Sequence, residues 1–308
     1  MPDPPSFYLS GLIAWIGKIG VVRDIALPGT TIKGGEYVQI GALAGYNEGS
    51  ILNCFSSGSV RGGQPNAEVG GLVGTNAGKI IRSFSSADVS GGGLALVGGL
   101  VGSSSGLIED GSASGTVAGY TTARAGGLVG YASGTILNSF ATGDVSASFA
   151  TRHTTGSHAL RRKEAIVGGL VGYNAASISN SYATGGGSAR SQHDPVITVV
   201  YIGGLAGINA GSISTSYAAG PVQNDGGLSG GLIGTDDSQV AQSYWDFDTS
   251  GITDPGQGAG YPRNDPGITG LTDAQLKAAL PAGFDPNVWG QSADINNGWP
   301  YLLANPPQ

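Results

Sequence analysis

Apolar residues along most of this chain fall in two short alternating segments that recur together, without the 3.6-residue period of a helix. The recurring unit reads Gly-Gly-Leu-Val-Gly-Tyr-Asn-x-Gly-x-Ile-x-Asn-Ser-Tyr-Ala-Thr-Gly-x-Val. Its Leu-Val-Gly and Ile-x-Asn-Ser-Tyr-Ala segments alternate as strands do, and Asn-x-Gly and Thr-Gly separate them as turns do. The pattern therefore predicts repeats of short strands and tight turns. The clearest copies span residues 126–145, 168–188 and 203–222, and others begin at Gly41, Gly70, Gly98 and Gly231.

The aligned leucines of these seven copies give the period of the repeat. Their successive spacings are 29, 28, 28, 42, 35 and 27 residues, so most copies are near 28 residues long and two carry insertions. A fixed period in this range indicates a solenoid, a propeller or an array, and a four-stranded propeller blade needs more residues. We therefore predict an all-β fold, a single parallel β-helix in which one repeat forms one coil. The leucines are Leu43, Leu72, Leu100, Leu128, Leu170, Leu205 and Leu232.

Stacked coils place equivalent residues in ladders along the rod. We predict that the leucines and a second apolar column fill the interior, beside an aromatic column and a polar turn column whose asparagines adopt left-handed backbone and bond neighbouring backbone. The only cysteine, Cys54, falls where other copies have serine and is predicted to be a small buried side chain. The second apolar column is Ile51, Ile80, Ile108, Ile136, Ile178, Ile213 and Val240; the aromatic column is Phe55, Phe84, Phe140, Tyr182, Tyr217 and Tyr244, with Ser112 as its gap; the polar column is Asn47, Asn76, Ser104, Ala132, Asn174, Asn209 and Asp236.

The repeats divide the chain into three predicted parts. Residues 1–39 contain a degenerate copy and are predicted to form an N-terminal coil or cap, residues 40–250 the seven-repeat solenoid, and residues 251–308 a C-terminal cap. The stretch Thr272-Asp273-Ala274-Gln275 is a capping box, so the cap should contain one short helix. A cap is expected because the end of a solenoid exposes unpaired strand edges and an apolar interior.

Composition narrows the possible functions. The 57 glycines accompany 40% apolar residues, which is too apolar for a disordered linker, and they do not recur at every third position as in collagen. The formal charge of -7 gives no electrostatic case for nucleic acid, and a single cysteine excludes an internal disulfide or a cysteine-based zinc cluster. We expect no cofactor and no membrane span. The first residues lack the basic and apolar regions of a signal peptide.

The repeat resembles the GLUG repeat of large bacterial surface proteins. The segment from Leu271 to Leu276, with Val288-Trp289-Gly290 and the stretch from Ile295 to Leu302, is similar to the end of such arrays in filamentous-haemagglutinin-like adhesins. The resemblance implies a secreted or cell-surface β-helical segment exported by two-partner secretion and belonging to a longer chain. Similar repeats accompany immunoglobulin-cleaving metallopeptidases, but the chain has no His-Glu-x-x-His motif to carry that activity.

Two inserts, after Val145 and after Gly187, depart from the 28-residue period and hold all three histidines of the chain. Loops on a rigid scaffold often carry function, and inserts that leave one corner of consecutive coils would be neighbours. Three interpretations stay open: solvated polar loops, a basic patch for an anionic glycan or a host or cell-surface polymer, and a His/Asp metal or catalytic site, for which no ligand spacing is present. The candidate ligand-binding residues are Arg152, His153, His158, Arg161, Arg162, Lys163, Arg190 and His193.

The leading hypothesis is a structural or adhesive segment, a rigid rod that presents loops for ligand or surface binding. A polysaccharide lyase or hydrolase is the alternative, since parallel β-helices also carry such enzymes, but the regular faces offer mostly Ser, Thr, Ala and Gly. The adjacent pair Glu109-Asp110 cannot form a glycosidase site alone, because neighbouring strand residues point to opposite faces. Asp246, Asp248 and Asp254 suggest calcium or an Asp-rich turn. Ice binding would need a threonine ladder, and the matching positions are Ser57, Ser86, Ser114, Thr142, Thr184 and Ala219.

Overall fold

The chain is a parallel β-helix, as the repeat predicted. The computed structural model describes residues 8–148, 163–190, 198–224 and 226–307, and we number the eight coils traced in these residues 1 to 8 from the N-terminus. The aligned leucines stack in one column: the amide of Leu43 donates to the carbonyl of Leu72 at 2.9 Å, and the same bond continues from coil to coil as far as Leu232. Every one of these leucines is fully buried.

Four parallel sheets run along the rod, and sheets A, B and C each take one strand from every coil in order. Sheet A contains Tyr8–Ser10, Val38–Ile40, Glu68–Gly70, Leu96–Gly98, Arg124–Gly126, Lys163–Gly168, Thr198–Gly203 and Leu228–Gly230. Sheet B contains Ile13–Ile16, Ala44–Asn47, Val73–Asn76, Val101–Ser104, Val129–Ala132, Val171–Asn174, Ala206–Asn209 and Ile233–Asp236. Sheet C contains Val21–Arg23, Ser50–Leu52, Lys79–Ile81, Leu107–Glu109, Thr135–Leu137, Ser177–Ser179, Ser212–Ser214 and Gln239–Ala241.

Sheet D is wider, because most coils contribute two short strands to it. Its strands are Ala26–Lys33, Phe55–Arg61, Phe84–Ser85, Asp88–Gly91, Ser112–Ala113, Val117–Tyr120, Phe140–Ala141, Val145–Ser148, Tyr182–Ala183, Gly187–Arg190, Tyr217–Ala218, Val222–Asn224, Ser243–Asp246 and Ile268–Leu271. The other elements are helix α1 (Phe247–Ser250), helix α2 (Asp273–Ala278), a 3₁₀ turn (Asn296–Gly298) and an antiparallel pair of Trp289–Gly290 with Tyr301–Leu302. No helix in the described ranges is long and apolar enough to cross a membrane.

Two consecutive glycines stand at the turn from the sheet A strand to the sheet B strand in most coils, as Gly70 and Gly71 do in coil 3. We call them the glycine pair, and they divide the cross-section of the rod into two cores. The Ser56 hydroxyl of sheet D donates to the Gly71 carbonyl at 2.9 Å, and a side chain at Gly71 would collide with Ser85 of the same sheet. The chain therefore pinches inward at this point, because only glycine leaves room for the approach. A core rich in leucine and isoleucine lies among sheets B, C and D, and a smaller valine and alanine core lies between sheet A and the rest of sheet D.

Polar ladders run inside the turns. Asn47 Nδ2 donates to Asn76 Oδ1 at 2.7 Å, and Asn174 and Asn209 form the same bond at 2.6 Å. The prediction that these asparagines adopt left-handed backbone was wrong, because none of them has positive φ. A column of left-handed residues lies six positions further along, at the corner between sheets C and D. They are Asn53, Arg82, Asp110, Asn138, Asn180, Thr215 and Gln242.

Cys54 occupies a buried serine ladder, as predicted. The Ser83 hydroxyl donates to the Ile81 carbonyl at 3.0 Å and accepts the Cys54 amide at 3.0 Å, and the serines of later coils repeat both bonds. The Cys54 Sγ contacts the Leu52 carbonyl at 3.3 Å, in the manner of those hydroxyls. Burial raises the pKa of the Cys54 thiol, so the side chain acts as a small buried group.

The chain after coil 8 first covers the end of the rod. The amides of Gly231 and Leu232 donate to the carbonyls of Gln257 and Gly258, and Ile268–Leu271 extends sheet D by one strand. Trp245 is fully buried beneath this cover and meets Phe247 edge-on with ring centroids 4.7 Å apart. The segment thus satisfies backbone groups and apolar surface that the last coil would otherwise expose.

Residues 272–307 then run back along the outer face of sheet D, and we call this segment the strap. Its helix α2 begins with the predicted capping box of Thr272 and Gln275. The rings of Tyr182 and Tyr217 stack 5.0 Å apart beneath Trp289, and Tyr217 donates its hydroxyl to the Pro300 carbonyl at 2.6 Å. The predicted aromatic column is therefore an outer column, and the strap covers the part contributed by coils 5 to 8.

Candidate functional site between sheets A and B

Most of the predicted binding residues lie outside the described residues. These are Arg152, His153, His158, Arg161, Arg162 and His193. Lys163 begins a strand of sheet A, and the exposed Arg190 ends a strand of sheet D. The strands that flank the two inserts are neighbours in both sheets, since Ser148 pairs with Arg190 and Lys163 pairs with Thr198. Both inserts therefore connect sheet D to sheet A at the same corner of consecutive coils.

The carboxylates noted in the sequence do not converge. Glu109 lies at the end of a strand of sheet C, whereas Asp110 is a left-handed corner residue whose Oδ1 is buried without a hydrogen-bond partner. Asp246 caps helix α1, Asp248 accepts the Asp273 amide at 2.9 Å, and Asp254 pairs with Arg263. Within the described ranges, no three His, Cys, Asp or Glu residues are arranged to hold a metal ion.

A groove lies between the outer faces of sheets A and B. The groove forms because the chain turns inward at the glycine pair. The outer side chains of the two strands that this turn joins therefore point toward each other. Contacts across the groove join residues seven positions apart: Glu68 with Thr75, and Arg124 with Tyr131. The outer column of sheet A is Gln39, Glu68, Leu96, Arg124, Ile166, Tyr201 and Leu228; that of sheet B is Tyr46, Thr75, Ser103, Tyr131, Tyr173, Ile208 and Thr235.

Glu68 supplies a fixed carboxylate on the sheet A side of coil 3. It accepts hydrogen bonds from Gln39 Nε2 at 3.0 Å and from the Thr75 hydroxyl. Burial raises the pKa of Glu68, and the two hydrogen bonds oppose that rise. Burial also raises the pKa of the nearby Tyr46, with smaller contributions from Glu48 and Glu68. This end of the groove is thus rich in hydrogen-bond acceptors.

Arg124 supplies a fixed cation two coils away in the same column. Its guanidinium carbon lies 4.7 Å from the ring centroid of Tyr173 and 5.4 Å from that of Tyr131, and the two rings stack at 5.5 Å. Both distances fall within the range of cation–π attraction. No carboxylate of the described residues lies within 4.0 Å of this guanidinium. The tyrosines therefore hold a flat guanidinium in place while its N–H donors remain available to a ligand.

A depression of about 440 Å³ lies along this column. It is lined by the sheet A residues Glu68, Leu96, Arg124 and Glu164 and by turn residues that precede the sheet A strands, among them Leu94, which has positive φ and is half exposed. The depression and the groove therefore share the outer column of sheet A, and no described residue of sheet B lines the depression. The volume is within the range of small-molecule sites. The repeat pattern does not reveal this depression, because the outer columns differ from repeat to repeat. The sequence does contain one indication of the site: a charged residue, Glu68 or Arg124, stands seven positions before Thr75 and Tyr131, respectively.

One comparison with known proteins, that with protein-family models, finds a match to the repeats. The sequence profile of the GLUG motif matches residues 36–61, 121–146 and 165–188. Each match covers one coil, namely coils 2, 5 and 6. No curated protein and no solved structure shows significant similarity to the chain. The protein is therefore a β-solenoid that carries GLUG repeats, a motif that occurs in extracellular bacterial proteins.

Proposed function

We propose that the protein is a structural and adhesive segment of a secreted or cell-surface bacterial protein of the filamentous-haemagglutinin-like, two-partner secretion type. In this role the rod holds binding loops away from the surface that carries it. The GLUG matches and the C-terminal resemblance support the context. The main support for a binding role is that the two inserts that exceed the 28-residue period connect sheet D to sheet A at the same corner of adjacent coils.

An anionic glycan or surface polymer is the ligand class that the inserts favour. Five of the 14 Lys and Arg residues lie in or beside them, on a chain of net charge -7. Exposed charges attract a polyanion over roughly 10 Å at 0.1 M salt, so binding should weaken as salt rises. Below a pH of about 6.5 the three histidines would add positive charge and strengthen it.

Retention on a heparin column tests this proposal. We expect the wild-type protein to elute at a higher salt concentration than a variant in which Arg152, Arg161, Arg162, Lys163 and Arg190 are replaced by Ser. A matched control replaces five basic residues elsewhere, at positions 18, 23, 33, 61 and 79, and should elute as the wild type does. Equal elution of the two variants, or no retention of the wild type, would show that the inserts are solvated loops.

The described groove does not favour the polysaccharide-active alternative. Glu68 and Glu164 both line the depression, but their strands belong to coils 3 and 6 of sheet A. Three coil steps of about 4.8 Å separate such strands by about 14 Å. The carboxyl groups of a glycosidase lie about 5 to 9.5 Å apart, so this pair is better suited to binding than to hydrolysis.

A further inference from the structure

The groove contains a single place where small residues open it between a carboxylate and a cation. Tyr46, Tyr131 and Tyr173 fill the outer column of sheet B in coils 2, 5 and 6, whereas coils 3 and 4 have Thr75 and Ser103. Tyr131 extends across the groove far enough to contact Arg124. A tyrosine at position 103 would reach Leu96 in the same way, and serine leaves that surface open.

The opened surface has three parts in a straight line. Glu68, Leu96 and Arg124 are consecutive members of the sheet A column, joined by parallel pairing of their strands. Along this column a hydrogen-bond acceptor (Glu68), an apolar side chain (Leu96) and a cation (Arg124) follow one another. The first and the last are two coil steps of about 4.8 Å apart, or about 9.6 Å. Leu94 adds apolar surface beside Leu96.

This order of groups matches one sugar chemistry. A hexuronic acid carries vicinal hydroxyls at one edge of its ring, a carboxylate near the opposite edge and an apolar C–H face between them. Hydroxyls donate to a carboxylate, and a carboxylate accepts two parallel N–H bonds from a guanidinium at about 2.8 Å. A single pyranose with one such contact at each end fits the span from Glu68 to Arg124, with its apolar face on Leu96.

We propose that the depression between Glu68 and Arg124, which we call the uronate slot, binds a hexuronic acid unit of an acidic glycan. The neighbouring units of the glycan would follow the groove along the rod. This inference deepens the proposed function, since it names the sugar class of an adhesive ligand. It rests on described residues of coils 3 to 5 and does not use the inserts.

Titration calorimetry with defined trisaccharides tests the slot. The probes are trimers of galacturonic, glucuronic and mannuronic acid, each beside its neutral hexose counterpart. We expect at least one uronate trimer to bind at least about tenfold more tightly than its neutral counterpart, because only the uronate engages Arg124 through charge-assisted bonds. No binding of any uronate trimer, or equal binding of the neutral trimers, would overturn the proposal.

Two variants at one position locate the binding. Ser103→Tyr places in coil 4 the residue that coils 2, 5 and 6 carry, so the variant should fold while covering Leu96, and uronate affinity should fall at least about tenfold. Ser103→Ala leaves the slot open and should bind within about threefold of the wild type. Unchanged affinity in Ser103→Tyr would place the ligand elsewhere and contradict the proposal.

Arg124→Gln provides a test that does not depend on the folding of Ser103→Tyr. It should remove the preference for the uronate over the neutral trimer, and a retained preference would contradict the role of Arg124. The variant with five serines in the inserts separates the two proposals. Because heparin also contains uronic acid units, this variant should elute from heparin at a lower salt concentration than the wild type and still bind the uronate trimer with wild-type affinity, so either proposal can fail while the other stands.

Discussion

Around sheets A and B, each coil contributes to two kinds of column, one facing the interior and one facing outward. Inside, one residue type repeats from coil to coil, as in the leucine column from Leu43 to Leu232, which lies at the turn between the two sheets. Outside, Glu68, Leu96 and Arg124 follow one another in a single column. Interior residues must pack without water against copies of themselves. The outer columns mix partly exposed residues such as Leu96 with buried ones such as Ile166, and their residue types vary from coil to coil. We infer that the repeated face determines the fold and that the varied face carries the binding chemistry.

A matched pair of leucines should show the largest difference between the two faces. Leu128→Asp places a carboxylate without a partner in the interior and should reduce the free energy of unfolding by about 3 kcal/mol or more. Leu96→Asp makes the same chemical change on the outer face of sheet A, where about 0.5 kcal/mol or less is expected. Urea denaturation of both variants measures the difference, and similar losses in the two would contradict the assignment of faces.

The strap should matter less than the interior but more than any exposed residue. Removing residues 272–308 exposes the outer rings of Tyr182 and Tyr217, which are now fully buried, and we expect a loss of about 2 kcal/mol together with self-association. Trp289→Ala should act in the same direction without shortening the chain. Light scattering and thermal melting check this, and a truncated protein that stays monomeric with an unchanged Tm would show that the strap adds no stability.

The acidic end of the asparagine ladder should give a smaller, pH-dependent effect. Burial, together with Asp265 nearby, raises the pKa of Asp236 to about 6, although bonds from Asn209 and the Ser238 amide oppose the rise. The unfolded value is about 3.9, so the folded state holds the proton more tightly and this group favours folding most below about pH 4. Its contribution is lost as the pH rises through 6, so the stabilising effect is present in acid and absent at neutral pH.

Asp236→Asn restores the residue found at the same position in other coils and should raise the Tm at pH 7 by a few degrees, corresponding to about 1 kcal/mol. It should also flatten the dependence of Tm on pH between 4 and 7. The exposed Asp294→Asn serves as the control and should leave the profile unchanged. A lower Tm for Asp236→Asn at pH 7 would show that the folded protein prefers the charged carboxylate.

The repeat makes the residues of the interior predictable from the sequence. The outer cover, the left-handed corner and the groove depend on contacts between different parts of the chain, which the repeat pattern does not show. The ladders of Leu128 and Ile136 follow from spacing alone, because stacking forces equivalent residues together. The spacing does not predict that Tyr217 lies on the outside of the rod, because Tyr217 is covered by Trp289, a residue that is distant in sequence and outside the repeat. The left-handed corner was assigned to Asn76 rather than Arg82 because both turns are polar. The groove depends on the inward turn of the chain at the glycine pair. This turn produces no repeated pattern in the outer columns from which the groove could be predicted.

The distance between two outer residues many repeats apart tests the central claim most directly. Lys79 and Gln239 are both exposed, lie five coils apart in sheet C and are separated by 160 residues along the chain. Spin labels on cysteines at these positions, in a Cys54→Ser background, should give one narrow distance distribution near 24 Å by pulsed electron paramagnetic resonance, or five steps of about 4.8 Å. A broad distribution, or a mean of about twice that value, would contradict a rod in which each repeat forms one coil.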